Sequence, residues 1–190
     1  MFNKILSYGA VAGLIVGIEI FVVTVTMNGH IGGPFGLVLG YATMLVALSA
    51  IFVAIKRHRD TDLGGVIKFW PAFGLGLGIS VVAGILYVLA WEAAQAVAHL
   101  DFADGYAKSV IREQVAKGIS VEALAKLEAQ MAQFKVQYAN PFYRLPMTFA
   151  EIFPVGVLVS LISAGLLRNS RFLPLRQVNQ PAADSGPVET

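Results

Sequence analysis

Apolar residues along this chain run in long blocks and do not alternate. The blocks extend from about Ile5 to Met27, Gly36 to Ile55, Phe69 to Trp91 and Met147 to Leu167. Each has the length that a helix needs to cross bilayer hydrocarbon, about 20 residues at 1.5 Å apiece. Hydrocarbon offers no partner to a free backbone N–H, so such blocks fold as helices. None shows the period of two that a barrel strand requires. The pattern predicts an all-α fold, an integral membrane four-helix bundle. The longest polar interval, about Glu92 to Pro146, has its own rhythm. There "SVEALAKLEAQMAQFKVQY" sets Leu124, Leu127, Met131, Phe134 and Tyr138 at steps of three and four, a narrow helical stripe. Ser120 fits an N-cap, Glu122 the first turn, and Gly118 the end of an earlier helix from about Phe102 to Lys117. A helical insert of two short helices over about 101–140 is therefore expected between spans three and four. Its polar face mixes Glu122, Lys126, Glu128 and Lys135, which favours protein contact over the basic face of a membrane-surface helix. The segment 172–190, with "QVNQPAADSGPVET", is polar and aperiodic and is expected to be a disordered cytoplasmic tail.

Composition sharpens the solvent. Of 190 residues, 56% are hydrophobic and only 14% charged, with mean hydropathy +0.68. Soluble domains carry about 25% charged residues, and a soluble core this small cannot hide so much apolar surface. The bilayer is the expected partner. The net charge of +2 does not point to nucleic acid, because the basic residues cluster beside apolar blocks. No cysteine is present, which excludes disulfides and thiolate metal sites. His30, His58 and His99 lie far apart, without close-spaced ligand partners. "GLGLG" sits inside the third block with no strand ahead of it, so it is not read as a nucleotide loop. No catalytic set, metal or cofactor is expected, and the chain does not read as an enzyme.

Lysine and arginine set the orientation. With four spans, Lys4, Lys56, Arg57, Arg59, Lys68, Arg168 and Arg171 fall on one side. That side is expected to be the cytoplasm, with Lys56, Arg57, Arg59, Arg168 and Arg171 acting as topology anchors. Both termini are then cytoplasmic and the insert extracytoplasmic. The first block exceeds a signal-peptide core and lacks a small-x-small cleavage site, so it is read as an uncleaved span. A role for "KRHRD" in recognising anionic lipid is weaker than this plain anchoring role. Trp70, Trp91, Phe142, Tyr143 and Phe149 fit aromatic positions at the two interfaces.

Small residues recur every four positions in each span: Gly9, Gly13 and Gly17; Gly36 and Gly40; Gly74 and Gly78, with Gly76, Ser80 and Gly84; Gly156, Ser160 and Ala164. Such rows let helix backbones approach closely in lipid. Packing within one bundle is favoured, since all four helices carry a row. A homo-oligomer through these faces, or a protein partner on the insert, stands as the alternative. Pro71 falls in a first turn, and Pro154 is expected to kink the fourth span.

The order of "LGYATMLVALSAIFVAIKRHRD", "GGVIKFWPAFGLGLGISVVAGILYVLAWE", the insert with "GIS", and "NPFYRLPMTFAEIFPVGVLVSLISAGLLR" resembles the domain-of-unknown-function 4199 family of small bacterial four-span membrane proteins. The resemblance covers about Met1 to Arg171. It implies the four-span topology and a place in the inner membrane of a bacterial cell, and supplies no catalytic residues.

Polar groups gather in the outer half of the spans. Glu19 lies about 12 Å deep in the first span and Glu151 about 6 Å deep in the fourth, at 1.5 Å per residue. Tyr41 and Tyr87 fall in the same half, with Arg144 just above. A carboxylate at such depth is costly unless protonated or paired. Two uses stand open: structural polar glue, or a proton- or cation-coupling site. The favoured reading is a structural or regulatory protein or a subunit of a membrane complex. The alternative is a small proton- or cation-coupled transporter or channel subunit using Glu19 and Glu151, with Tyr41, Tyr87 and Arg144 around them.

Overall fold

A computed structural model describes residues 1–27 and 33–174. Among the described residues six helices follow one another: α1 (Phe2–Met27), α2 (Gly33–Asp62), α3 (Phe69–Ala98), α4 (Phe102–Ala116), α5 (Val121–Ala139) and α6 (Pro141–Leu167). No strand occurs among the described residues. Helices α1, α2, α3 and α6 are each long and apolar enough to cross a membrane. The tail expected to be disordered falls almost wholly outside the described residues.

Helix α3 is the centre of the bundle. It packs most extensively on α1 and next on α6, and α2 closes the ring against α6 and α1. The small-residue rows make these contacts. A Cβ on Gly9 would lie 2.6 Å from Val82 Cβ, one on Gly13 2.8 Å from Leu86 Cβ, and one on Gly17 3.1 Å from Ala90 Cβ. The partners advance four residues with each glycine, as two parallel helices in register must. Gly78 returns the contact by receiving Ile5. The α3–α6 contact is antiparallel: Gly76 faces Ser160, and Gly156 faces Ser80. Ser80 and Ser160 each donate to the carbonyl four residues back, Gly76 and Gly156 respectively, so neither hydroxyl is left unsatisfied in the apolar core. These rows serve packing within the bundle. Gly40 and Gly74 differ, with open space where a Cβ would be.

The helices outrun the apolar blocks. Helix α2 continues past Ile55 through "KRHRDTD" because i,i+4 pairs support it, Lys56 to Asp60 and His58 to Asp62. Helix α3 continues past Trp91 to Ala98 and ends at His99 in the left-handed region (φ 48). Helix α6 begins with Pro141 at N1 under the Asn140 cap and runs through Pro146 and Pro154.

The insert is a two-helix hairpin at the end of the bundle opposite "KRHRD". Ser120 caps α5 by accepting from the Ala123 N–H, and Asp101 caps α4 by accepting from Asp104 N–H. Gly118 takes the left-handed conformation (φ 77) between them. An aromatic cluster of Trp91, Phe102, Tyr106, Phe134 and Tyr138 joins the hairpin to α3. Trp91 is buried there and donates to the Tyr138 hydroxyl at 2.9 Å. This corrects its reading as an interface aromatic: the hairpin covers the ring that sequence position alone leaves open to headgroups. Phe149 likewise turns inward, against Gly84, whereas Trp70 and Phe142 remain exposed. Lys108 and Lys135 both bond to Asp104 and hold its carboxyl down to about 2.

Candidate functional site

The polar residues of the spans separate into two groups. Glu19 of α1, Tyr87 of α3 and Glu151 of α6 line one cavity, walled on the remaining side by Gly36, Leu39, Gly40 and Met44 of α2. All four spanning helices therefore contribute. The cavity measures about 140 Å³ and mixes polar and apolar walls. The glycines of α2 make the space, since nothing lies within 4 Å of a Cβ built on Gly40. Tyr87 is almost fully buried, and its hydroxyl donates to Glu151 Oε2 at 3.1 Å, tying α3 to α6. Among the described residues Glu19 makes no side-chain hydrogen bond of this kind. Glu19 lies on a different face of α1 from the Gly13 and Gly17 ridge that packs on α3, and lines the cavity together with Ile20 and Val23. Tyr41 is half-exposed and does not line the cavity.

Arg144 belongs to the second group. Its guanidinium makes a two-pronged bond to Glu92, Nε to Oε1 at 2.7 Å and Nη2 to Oε2 at 2.5 Å. It also lies over the Tyr138 ring, 5.7 Å from the centroid. Arg144 thus fastens α3 to the start of α6 beneath the hairpin, with Glu92 as its counter-ion. Glu92 closes the third apolar block, yet nothing in the sequence pairs it with a residue 52 positions away.

Arg59 is the residue that sequence reasoning placed least well. Its side chain is fully buried. Nε donates to Asp60, and the two terminal nitrogens donate to the carbonyls of Phe172 and Leu173 at 2.9 and 2.6 Å. It clamps the chain beyond α6 onto α2, and so does more than anchor the helix at a headgroup layer. Lys56 is half-buried against Asp60, while Arg57, Arg168 and Arg171 are exposed.

Among the described residues no three His, Cys, Asp or Glu side chains converge as metal ligands. A second, larger hollow of about 220 Å³ between α1 and α3, lined by Leu14, Ile18, Phe21 and Leu86 with small residues, is apolar. The chemistry of the spans is that of the Glu19–Tyr87–Glu151 cavity: two acids, a phenol and room for water or a small ion.

No curated protein and no solved structure matches the chain. A family model does, over residues 7–169. The chain, with its four membrane-span-like helices, belongs to the family described as Protein of unknown function (DUF4199).

Proposed function

We propose that the protein is a small membrane carrier or channel subunit that takes a proton or small cation into the cavity between Glu19 and Glu151. One observation supports this above others. Two carboxylates on different helices face one cavity, and among the described residues no cationic side chain lines it. Arg144, the nearest candidate counter-ion by sequence, is committed to Glu92. A carboxylate in low dielectric needs a proton or a counter-charge, and a mobile proton or cation meets that need. At roughly 30 Å³ each, about four to five waters match the cavity's volume of about 140 Å³. The reading includes no covalent step and no enzyme activity. In it the basic end faces the cytoplasm, the hairpin lies outside the bacterial inner membrane, and both termini are inside.

A structural reading draws on a different observation. The Tyr87–Glu151 bond ties α3 to α6, and polar glue of this kind needs no ligand. Proteoliposome flux separates the two. Proton- or cation-driven flux that disappears in a folded Glu19→Gln protein supports the carrier; absence of flux in the wild type leaves the glue.

A further inference from the structure

Charges at the two ends of the bundle are handled differently. At the hairpin end Lys108, Lys117, Lys135 and Arg144 each sit on an acid, and among the described residues the exposed Arg112 and Lys126, which form no ion pair, are balanced by the equally exposed Glu122 and Glu128. At the opposite end the described acids are Asp60 and Asp62, and both are occupied. Asp60 holds Lys56 and Arg59, and Asp62 holds Lys4 and His58. Four cations remain: Arg57 at the end of α2, Lys68 before α3, and Arg168 and Arg171 after α6. All four are exposed and, among the described residues, form no ion pair. They come from three separate stretches of chain. The Arg59 clamp brings one of them to α2, because its bonds to Phe172 and Leu173 hold the turn that carries Arg171 against that helix. Phe172 packs edge-on to Phe52 and fixes the same turn. Trp70 stands at this end with three-quarters of its surface exposed, where an indole marks the headgroup level.

We propose that this end is a binding surface for anionic phospholipids, with Arg57, Lys68, Arg168 and Arg171 contacting the headgroup phosphates. The charge complementarity is one-sided: among the described residues the local acids are spent on other cations, which leaves these four to an anionic partner. Arginine suits the task because its fork bonds phosphate oxygens two at a time. The sequence cluster "KRHRD" is not itself the site. Arg59 is buried and Lys56 paired, and only Arg57 of that cluster faces lipid phosphate. The proposal is independent of any flux through the Glu19 cavity.

The chain has two tryptophans, one at each end. Trp91→Phe leaves Trp70 as a local reporter. The full-length protein is reconstituted into phosphatidylcholine vesicles holding a minor fraction of either brominated phosphatidylglycerol or brominated phosphatidylcholine. The expected result is stronger Trp70 quenching by the brominated anionic lipid at equal fraction. That preference should fall about fivefold for each charge removed, from about 1 kcal/mol per basic residue near an anionic surface, and weaken with salt. It should vanish in Arg57→Gln/Lys68→Gln/Arg168→Gln/Arg171→Gln and survive in Arg57→Lys/Arg168→Lys/Arg171→Lys. Should the quadruple variant fail to fold, the Arg168→Gln/Arg171→Gln pair alone must still reduce the preference. Native mass spectrometry of lipids retained by the unsubstituted chain gives a second readout that leaves Trp91 in place. Equal quenching by the two lipids overturns the proposal. So does a preference that the glutamine variants keep, or one that inorganic phosphate abolishes where sodium chloride of equal ionic strength does not, which makes the surface a free-anion site.

Discussion

Replacing Gly13 with alanine tests the α1–α3 contact on which the position of Glu19 depends. The added Cβ would lie 2.8 Å from Leu86 Cβ and 3.0 Å from Ala83 Cα. Carbon atoms pack best at about 3.5–4.0 Å, so the helices must separate by nearly 1 Å. The nearest obstacle includes backbone, which cannot rotate away. Crowding of this kind costs about 1–3 kcal/mol. Alanine also gains up to about 1 kcal/mol of helix propensity over glycine. Gly74→Ala carries the propensity gain without the crowding, because open space surrounds Gly74. The difference between the two variants therefore isolates the packing cost. Reversible unfolding in mixed micelles titrated with a denaturing detergent, followed by circular dichroism, measures it. Gly13→Ala should unfold about 1–3 kcal/mol more readily than Gly74→Ala. Gly9→Ala should behave like Gly13→Ala, and Gly17→Ala more mildly, since its nearest contact is 3.1 Å. Gly13→Ala and Gly74→Ala agreeing within about 0.5 kcal/mol would refute the argument.

Three further outcomes are expected. Arg59→Gln strips donors from the Phe172 and Leu173 carbonyls and leaves Asp60 short of a partner, at a cost of about 3 kcal/mol; faster proteolysis just beyond α6 reads it out, and Arg59→Lys should not rescue it, because one ammonium cannot reproduce the fork. Tyr138→Phe removes the acceptor of the buried Trp91 N–H and should loosen the hairpin by about 1 kcal/mol, seen as faster amide exchange in α5 while α1 is unchanged. The Asp104 carboxyl, held down to about 2 by Lys108 and Lys135, contributes stability that is fully present above its ordinary value near 4 and is lost as pH falls through about 2; α4 and α5 should therefore loosen from each other between about pH 4 and 2, and Asp104→Asn should remove that transition.

The spans were legible because bilayer thickness writes itself into the length of an apolar block. The rows Gly9–Gly13–Gly17 and Gly156–Ser160 were legible for a related reason: only small residues admit a backbone. The Ser120 cap and the stripe ending at Tyr138 follow from local rules of helix starts and periodicity. What escaped depends on contacts between distant positions. Arg59 reads as one more cation in "KRHRD", and only the fold brings the carbonyls after α6 within its reach. Trp91 reads as an interface residue until α5 covers it. Arg144 and Glu92 carry no mutual signal across 52 residues. The cavity escaped because it is a property of four helices at once, made as much by absent side chains at Gly36 and Gly40 as by Glu19 and Glu151. The lengthening of α2 past Ile55 did leave a signal, the i,i+4 spacing of Lys56 with Asp60 and of His58 with Asp62.

Flux through the purified protein tests the central claim most directly. Proteoliposomes carrying an internal pH dye are given a proton gradient, or an inward gradient of sodium or potassium, and wild type is compared with Glu19→Gln and Glu151→Gln at equal protein loading. The account predicts flux in wild type, its loss in Glu19→Gln, and its reduction in Glu151→Gln, with all three proteins equally helical and equally stable. Wild-type protein that passes neither protons nor these cations, or a Glu19→Gln protein that conducts as well as wild type, contradicts it.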